Sequence, residues 1–259
     1  MIKHIKYTFY HLEAMTSKIT GAGHILLLSD YDGTLTPIVE KPELANLSHK
    51  MISCLYSLAN NPNITLGIIS GRKLTDIRKK VNLGNIIYSG NHGLEIQGAG
   101  IQFVCPTANH SKQLLHSLYQ QLNRRLATTN GARVEDKELS LTLHYRLVPK
   151  EELPTLEQTF RQITEPYLTS GKVIVTSSKK AYEIRPVVDW NKGKAITLIA
   201  QNLRPEKKPL IIFLGDDITD NDGFRTINDN KGISIYVGKN TADTTAQYFL
   251  RSTDEVYQF

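Results

Sequence analysis

The apolar run Leu26, Leu27, Leu28 stops at Ser29 and is followed at once by Asp30 and Asp32, then Gly33 and Thr34. The run is too short for a buried helix, so it reads as a core strand that delivers two carboxylates into a turn. Two carboxylates one residue apart repel each other unless something cationic sits between them. A hard divalent ion with oxygen ligands, Mg2+, fits that role. Taken alone, the stretch also fits a plain strand ending in an Asp-Gly turn. A calcium-binding EF-hand loop is excluded, because Gly33 at its sixth position would make Leu28 the first ligand.

The rest of the chain decides between these alternatives. At 259 residues it suits one large domain, or a core carrying a smaller one. Its 40% apolar and 22% charged residues are ordinary for a globular protein. No apolar run approaches the roughly 18–20 residues that span a bilayer. Residues 1–23 are broken by Lys3, His4, Lys6, His11, Glu13 and Lys18 and lack the apolar stretch of a signal peptide. Cys54 and Cys105 match no metal or redox spacing, which suits a reduced, cytoplasmic setting. The net charge of +6 favours an anionic ligand. The basic residues are scattered, with isolated pairs such as Lys79-Lys80, Arg124-Arg125, Lys179-Lys180 and Lys207-Lys208. A phosphorylated metabolite is therefore favoured over nucleic acid, and a monomer without membrane contact is expected.

Hydrophobic periodicity predicts an early helix over 4–19 and strands at 64–69, 86–88, 210–214 and 233–237. Helices are expected over 48–59, 75–81, 192–203 and 222–228, with a tail at the C-terminus. Alternating strands and helices argue for an α/β fold with a Rossmann-like parallel sheet covered on both faces. Between them lies a different composition. A hairpin (94–96 and 101–104) is followed by helices near 110–127 and 150–168 and strands at 139–146, 173–176 and 182–185. The expected division is an N-terminal extension (1–23), a core (24–103 and 187–259) and an inserted α+β domain (104–186).

Ligands of parallel sheets collect at the C-terminal ends of the strands. Four polar clusters fall at such ends or at helix starts: Asp30 with Asp32, Ser70 with Gly71, Lys192, and Asp216 with Asp217 and Asp220. An aspartate nucleophile, an acid/base two residues on, a metal, a hydroxyl and an amine suit phosphoryl transfer through an aspartyl-phosphate. In that reading Asp30 attacks phosphorus, with its repulsion from the phosphate cancelled by Mg2+ and Lys192. Asp32 protonates the leaving alcohol and later deprotonates water. Ser70, the backbone at Gly71 and Lys192 hold the phosphate. Asp30, Asp32 and Asp216 are the candidate metal ligands.

In this order, Asp30-x-Asp32-Gly33-Thr34, Ser70, Lys192 and Gly215-Asp216-Asp217 resemble the haloacid dehalogenase superfamily of phosphatases. Within it, the chain is similar to trehalose-6-phosphate phosphatases over nearly its whole length. The matching stretches are 30–38, 69–72, 90–95, Glu135-x-Lys137, 144–146, 183–186, 191–194 and 215–220. The resemblance implies a Mg2+-dependent hydrolase of trehalose biosynthesis, releasing trehalose and phosphate, with a cap over a core of haloacid dehalogenase type. It further implies that Arg72, His92 and Glu95 of the core and Glu135, Lys137 and Glu183 of the cap contact the substrate. Asn221 departs from the glutamate usual after the last aspartate of the motif, which bears on how the metal is tuned.

Without the resemblance, Ser70 and Arg72 could serve only to cap a helix. Glu135 with Lys137 could be a solvated pair, and His144, like the remaining histidines, structural. Three rivals stay open: a phosphatase of sucrose phosphate, mannosyl-3-phosphoglycerate or a hexose phosphate; a non-catalytic sugar-phosphate-binding module; and a phosphatase acting on nucleotides.

Overall fold

The computed structural model describes residues 5–178, 180–203 and 208–259. His4, Lys179 and Lys207 lie outside them. The chain folds into two units, one formed by residues 1–103 and 190–259 and the other by residues 104–189.

The first segment holds β1 (Lys6–Tyr7), α1 (Leu12–Thr20), β2 (Ile25–Ser29), α2 (His49–Ala59), β3 (Ile64–Ile69) and α3 (Leu74–Val81). It ends with β4 (Ile87–Gly90), β5 (Glu95–Gly98) and β6 (Ile101–Val104). The inserted unit holds α4 (Pro106–His110), α5 (Lys112–Arg125), β7 (Arg133–Asp136) and β8 (Leu141–His144). Then come α6 (Leu153–Thr169), β9 (Val173–Ser178) and β10 (Ala181–Pro186). The last segment returns with α7 (Lys192–Asn202), β11 (Leu210–Gly215), α8 (Asn221–Asp229), β12 (Ile233–Val237), β13 (Tyr248–Leu250) and α9 (Thr253–Gln258).

The first unit is built on one sheet in the order β1-β13-β12-β11-β2-β3-β4-β5-β6. Pairing is parallel from β1 through β4 and antiparallel between β4 and β5. After the edge strand β1, the chain enters the middle of the sheet at β2, winds outward through β3 and β4, and later returns to wind the other way from β11. That reversal between β2 and β11 is a topological switch point, where the strand ends part and leave a crevice. Side-chain alternation along β2 explains the two covered faces. Leu26 and Leu28 pack with Ala195, Ile196 and Ile199 of α7 and Phe224 of α8. On the other face Leu27 joins Met51 and Leu55 of α2 and Ile77 of α3. Burying each such side chain contributes about 1.5–3 kcal/mol. Ser48 caps α2 as expected, its hydroxyl accepting from the Met51 N–H.

Three corrections concern the ends of the chain. The expected extension is part of this unit: β1 pairs with β13, the Thr8 hydroxyl donates to the Phe249 carbonyl, and Met15 is buried against Ile235 and Leu250. The expected helix over 4–19 is confined to α1 after a strand and a single 3-10 turn. The expected tail contains β13 and α9. The segments that flank the insertion meet at a stacked pair, Phe103 on Trp190 with ring centroids 4.7 Å apart, and the Trp190 N–H donates to the Gly93 carbonyl at 2.7 Å.

The inserted unit is α+β, with an antiparallel sheet in the order β7-β8-β10-β9. Leu141, Leu143 and Ile184 pack on Leu118 and Leu122 of α5 and Leu156 and Phe160 of α6. Alternation therefore turns Glu135, Thr142 and Glu183, which stand opposite one another by register, to the face away from the helices.

Candidate active site

Asp30 directly follows β2 and its backbone N–H donates to the Leu214 carbonyl of β11, so it stands at the switch point itself. Its carboxylate is buried and accepts from the Lys192 ammonium, Nζ to Oδ1 2.9 Å. Lys192 opens α7, whose preceding residue Asn191 caps the helix by accepting from the Lys194 N–H. The ammonium also donates to Asp220 Oδ1 at 2.5 Å. Asp220 Oδ2 accepts the N–H groups of Asp216 and Asp217, each at 3.0 Å. Asp220 is wholly buried with both oxygens engaged, and it both positions the lysine and braces the turn after β11.

Carboxylate oxygens of Asp30, Asp216 and Asp220 lie within 4.8 Å of one another. Burial pushes the Asp30 carboxyl well up, against the pull of Lys192, and Asp220 and Asp216 add to the rise. Burial works against the charge on Lys192 as well, but Asp220 and Asp30 outweigh it and hold the amine protonated. Three carboxylates against one ammonium leave an excess of negative charge, which a bound cation would neutralise. The residues present fit such an ion. All the donors are hard oxygens, and Gly33, at φ 89°, closes on Asp216 so tightly that a Cβ there would run into the carboxylate. The group differs from the expected metal set by holding Asp220, whereas the Asp32 side chain is bound elsewhere.

That other partner is Arg72. Its Nε and Nη2 grip Asp32 Oδ2 and Oδ1, both at 2.7 Å, while Nη1 donates to Asp76 at 2.8 Å and Nη2 to the Pro42 carbonyl at 2.7 Å. The guanidinium also lies 5.4 Å from the centre of the Tyr31 ring. Arg72 is thus turned inward on protein groups rather than outward as a substrate contact.

Ser70 directly follows β3, beside β2 in the sheet, and its hydroxyl accepts from the Arg72 N–H at 3.2 Å. The next strand returns the lacing: His92 N–H donates to the Ser70 carbonyl and Asn91 N–H to that of Arg72. Asn91 and His92 take left-handed backbone angles, φ 49° and 56°. This brings the His92 ring over Gly71, where a Cβ would sit 2.6 Å from the ring. Glu95 accepts from the Asn91 amide at 2.6 Å.

The departure at Asn221 has a structural account. Its amide donates to the Asp243 carbonyl and accepts from the Thr245 N–H, tying α8 to the 243–245 loop. Asp217 is a backbone cap, accepting from the Ile218 N–H, and so Asp220 holds the lysine.

In the inserted unit, Glu135 accepts from or shares a proton with His144, Oε2 to Nε2 2.9 Å. Burial would raise the Glu135 carboxyl, but His144, Lys137 and Arg133 more than offset it and hold it near pH 2. Lys137 and Glu183 face each other at 3.7 Å. The structure thus adds the pairing of His144 with Glu135; the sequence places His144 in an alternating strand and in a stretch shared with the resembled family, without showing that contact.

Solved structures share this fold. The C-terminal domain of trehalose-6-phosphate phosphatase from C. albicans superposes with a TM-score of 0.82 over 100% of this chain and 97% of that one, at 24% identity. The trehalose-phosphatase family model matches residues 28–254, and the chain belongs to that family. Two Arabidopsis thaliana proteins, probable trehalose-phosphate phosphatases E and H, are 32% and 31% identical over 91% of this chain and 68% and 70% of their own lengths. Among the described residues no helix is long and apolar enough to cross a membrane.

Proposed function

We propose that the protein hydrolyses trehalose 6-phosphate to trehalose and phosphate through a phosphorylated Asp30. The observation that carries this is the buried Lys192 ammonium lying between Asp30 and Asp220 at the switch point. Asp30 Oδ2 is the attacking atom, since Oδ1 accepts from Lys192. The new bond forms from that oxygen to phosphorus as the bond from phosphorus to the sugar oxygen breaks. The departing oxygen keeps the electron pair and takes a proton from Asp32. Water then attacks phosphorus, its proton passes to Asp32, and the bond to Asp30 breaks.

Lys192 holds a fixed positive charge against the phosphate oxygens and needs no reorganisation, because Asp220 locks it. Asp30 and Asp216 would hold Mg2+, which when bound supplies positive charge against the phosphate. Ser70 and the N–H at Gly71 are the phosphate donors of this reading. Glu135, Lys137 and Glu183, with His92 and Glu95, read the sugar hydroxyls. Carboxylates and an ammonium suit a disaccharide that offers many donors and acceptors.

The test is phosphate release from a panel of sugar phosphates, with and without Mg2+. Preference for trehalose 6-phosphate, lost on chelation, is expected. Preference for sucrose phosphate or mannosyl-3-phosphoglycerate would move the substrate, and binding without release would leave a sensor.

A further inference from the structure

Arg72 makes more of its side chain than a helix cap or a sugar contact requires. An arginine carries five N–H donors in a rigid planar fork. Four of them are spent here: two on Asp32, one on Asp76 and one on the Pro42 carbonyl. The residue is 9% exposed, and Tyr31 lies along its face. Every anchor is itself fixed. Asp76 sits in the first turn of α3, where the N-terminal helix dipole favours a carboxylate. Pro42 opens a 3-10 turn, and the Tyr31 hydroxyl donates to the Ala45 carbonyl just beyond it, while Lys80 donates to the carbonyls of Glu43 and Ala45. The fork is therefore immobilised before it meets Asp32, and its two parallel bonds set the carboxylate plane of Asp32 as well as its place. The Asp32 side chain keeps 36% of its surface open, so one side is gripped and the other faces out.

We propose that Arg72 is a positioning residue for proton transfer, one that aims Asp32 at the oxygen leaving phosphorus. This deepens the reading above and rests on its assignment of Asp32. Two carboxylate oxygens offer four lone-pair directions, and the fork takes two of them, which leaves two for a substrate oxygen or a water. A side chain free to rotate would spend most of its time aimed elsewhere, and loss of aim by about 1 Å costs on the order of a hundredfold in rate. The single turn from Ser70 to Arg72 thereby serves two ends, the Ser70 hydroxyl on one side and the orientation of Asp32 on the other.

The test compares leaving groups. An aryl phosphate such as 4-nitrophenyl phosphate expels a stable anion and needs no proton, whereas a sugar phosphate does. The comparison uses kcat/KM, which ends at the first irreversible step and so excludes hydrolysis of the intermediate. In Arg72→Lys, which keeps the charge and loses the fork, kcat/KM for the preferred sugar phosphate should fall about a hundredfold and that for the aryl phosphate should change little. Asp76→Ala, which removes one anchor of the fork at a half-buried position, should reproduce this selective loss on the sugar phosphate, but by less. A parallel loss on both substrates would mean a merely structural role. A rise in KM alone would make Arg72 a substrate ligand, and faster turnover would mean that Arg72 restrains Asp32. Each of these overturns the proposal. A wild-type protein that releases no phosphate from any sugar phosphate would instead sink the function itself.

Discussion

Asp220→Asn isolates what the buried carboxylate does for Lys192. The change keeps the shape of the side chain, and an amide oxygen can still accept the N–H groups of Asp216 and Asp217. What it removes is the charge 2.5 Å from the ammonium, and it turns an NH2 donor toward another donor. Breaking a buried pair by removing one partner costs about 3–5 kcal/mol. Two features pull that figure down. Lys192 keeps Asp30 at 2.9 Å, and one fewer carboxylate relieves the repulsion among Asp30, Asp216 and Asp220. A net loss of about 2–3 kcal/mol follows. The sequence has a single tryptophan, Trp190, two residues before Lys192 and bonded to Gly93, so its fluorescence follows this unit alone. With a urea dependence of about 2 kcal/mol per molar, the midpoint should fall by about 1–1.5 M. An unchanged or higher midpoint would refute the idea that the charge of Asp220 compensates the buried lysine.

Other outcomes follow from the same geometry. Asp30→Asn should reduce phosphate release to below about a thousandth of wild type while the Trp190 unfolding transition stays cooperative, and near-normal turnover would remove Asp30 as nucleophile. Glu135→Ala and Glu183→Ala should raise KM for trehalose 6-phosphate well beyond any change for a small aryl phosphate, as steady-state kinetics on both substrates will tell. The Glu135 carboxyl, held near 2 in the folded chain against an ordinary 4.5, contributes stability that is complete above about pH 4.5 and is lost as pH falls toward 2. Urea midpoints read by tyrosine near-ultraviolet dichroism, where Tyr182 stacks on Phe160, should therefore fall across that window in wild type and less steeply in Glu135→Gln.

The strands of the core were legible because a sheet covered on both faces needs short apolar runs, and Ile64–Ile69 and Ile233–Val237 appear in the structure with the bounds read from sequence. Their polar ends were legible for the same reason, as each run stops where the chain leaves the sheet. Harder to see were β1 and β13, of two and three residues: β1 is held by pairing with β13, more than 200 residues further on, and β13 lies between β1 and β12. No local pattern encodes such a contact. The motif Gly215-Asp216-Asp217-Ile218-Thr219-Asp220 shows three carboxylates without showing that the last turns inward to Lys192. Arg72 reaches Asp32 across 40 positions, and its four hydrogen bonds go to three residues in three separate stretches of chain. Side-chain direction of this kind is a product of packing, and spacing along the chain carries no trace of it.

The stacking of Phe103 on Trp190 has a consequence for how chains of this architecture diversify. Because those two rings touch, the polypeptide departs for the insertion and comes back at one spot. A graft at that spot of another module, longer, shorter or differently folded, leaves the strand order beneath undisturbed. The insertion can thus differ from chain to chain while the polar groups at the switch point stay where the sheet puts them.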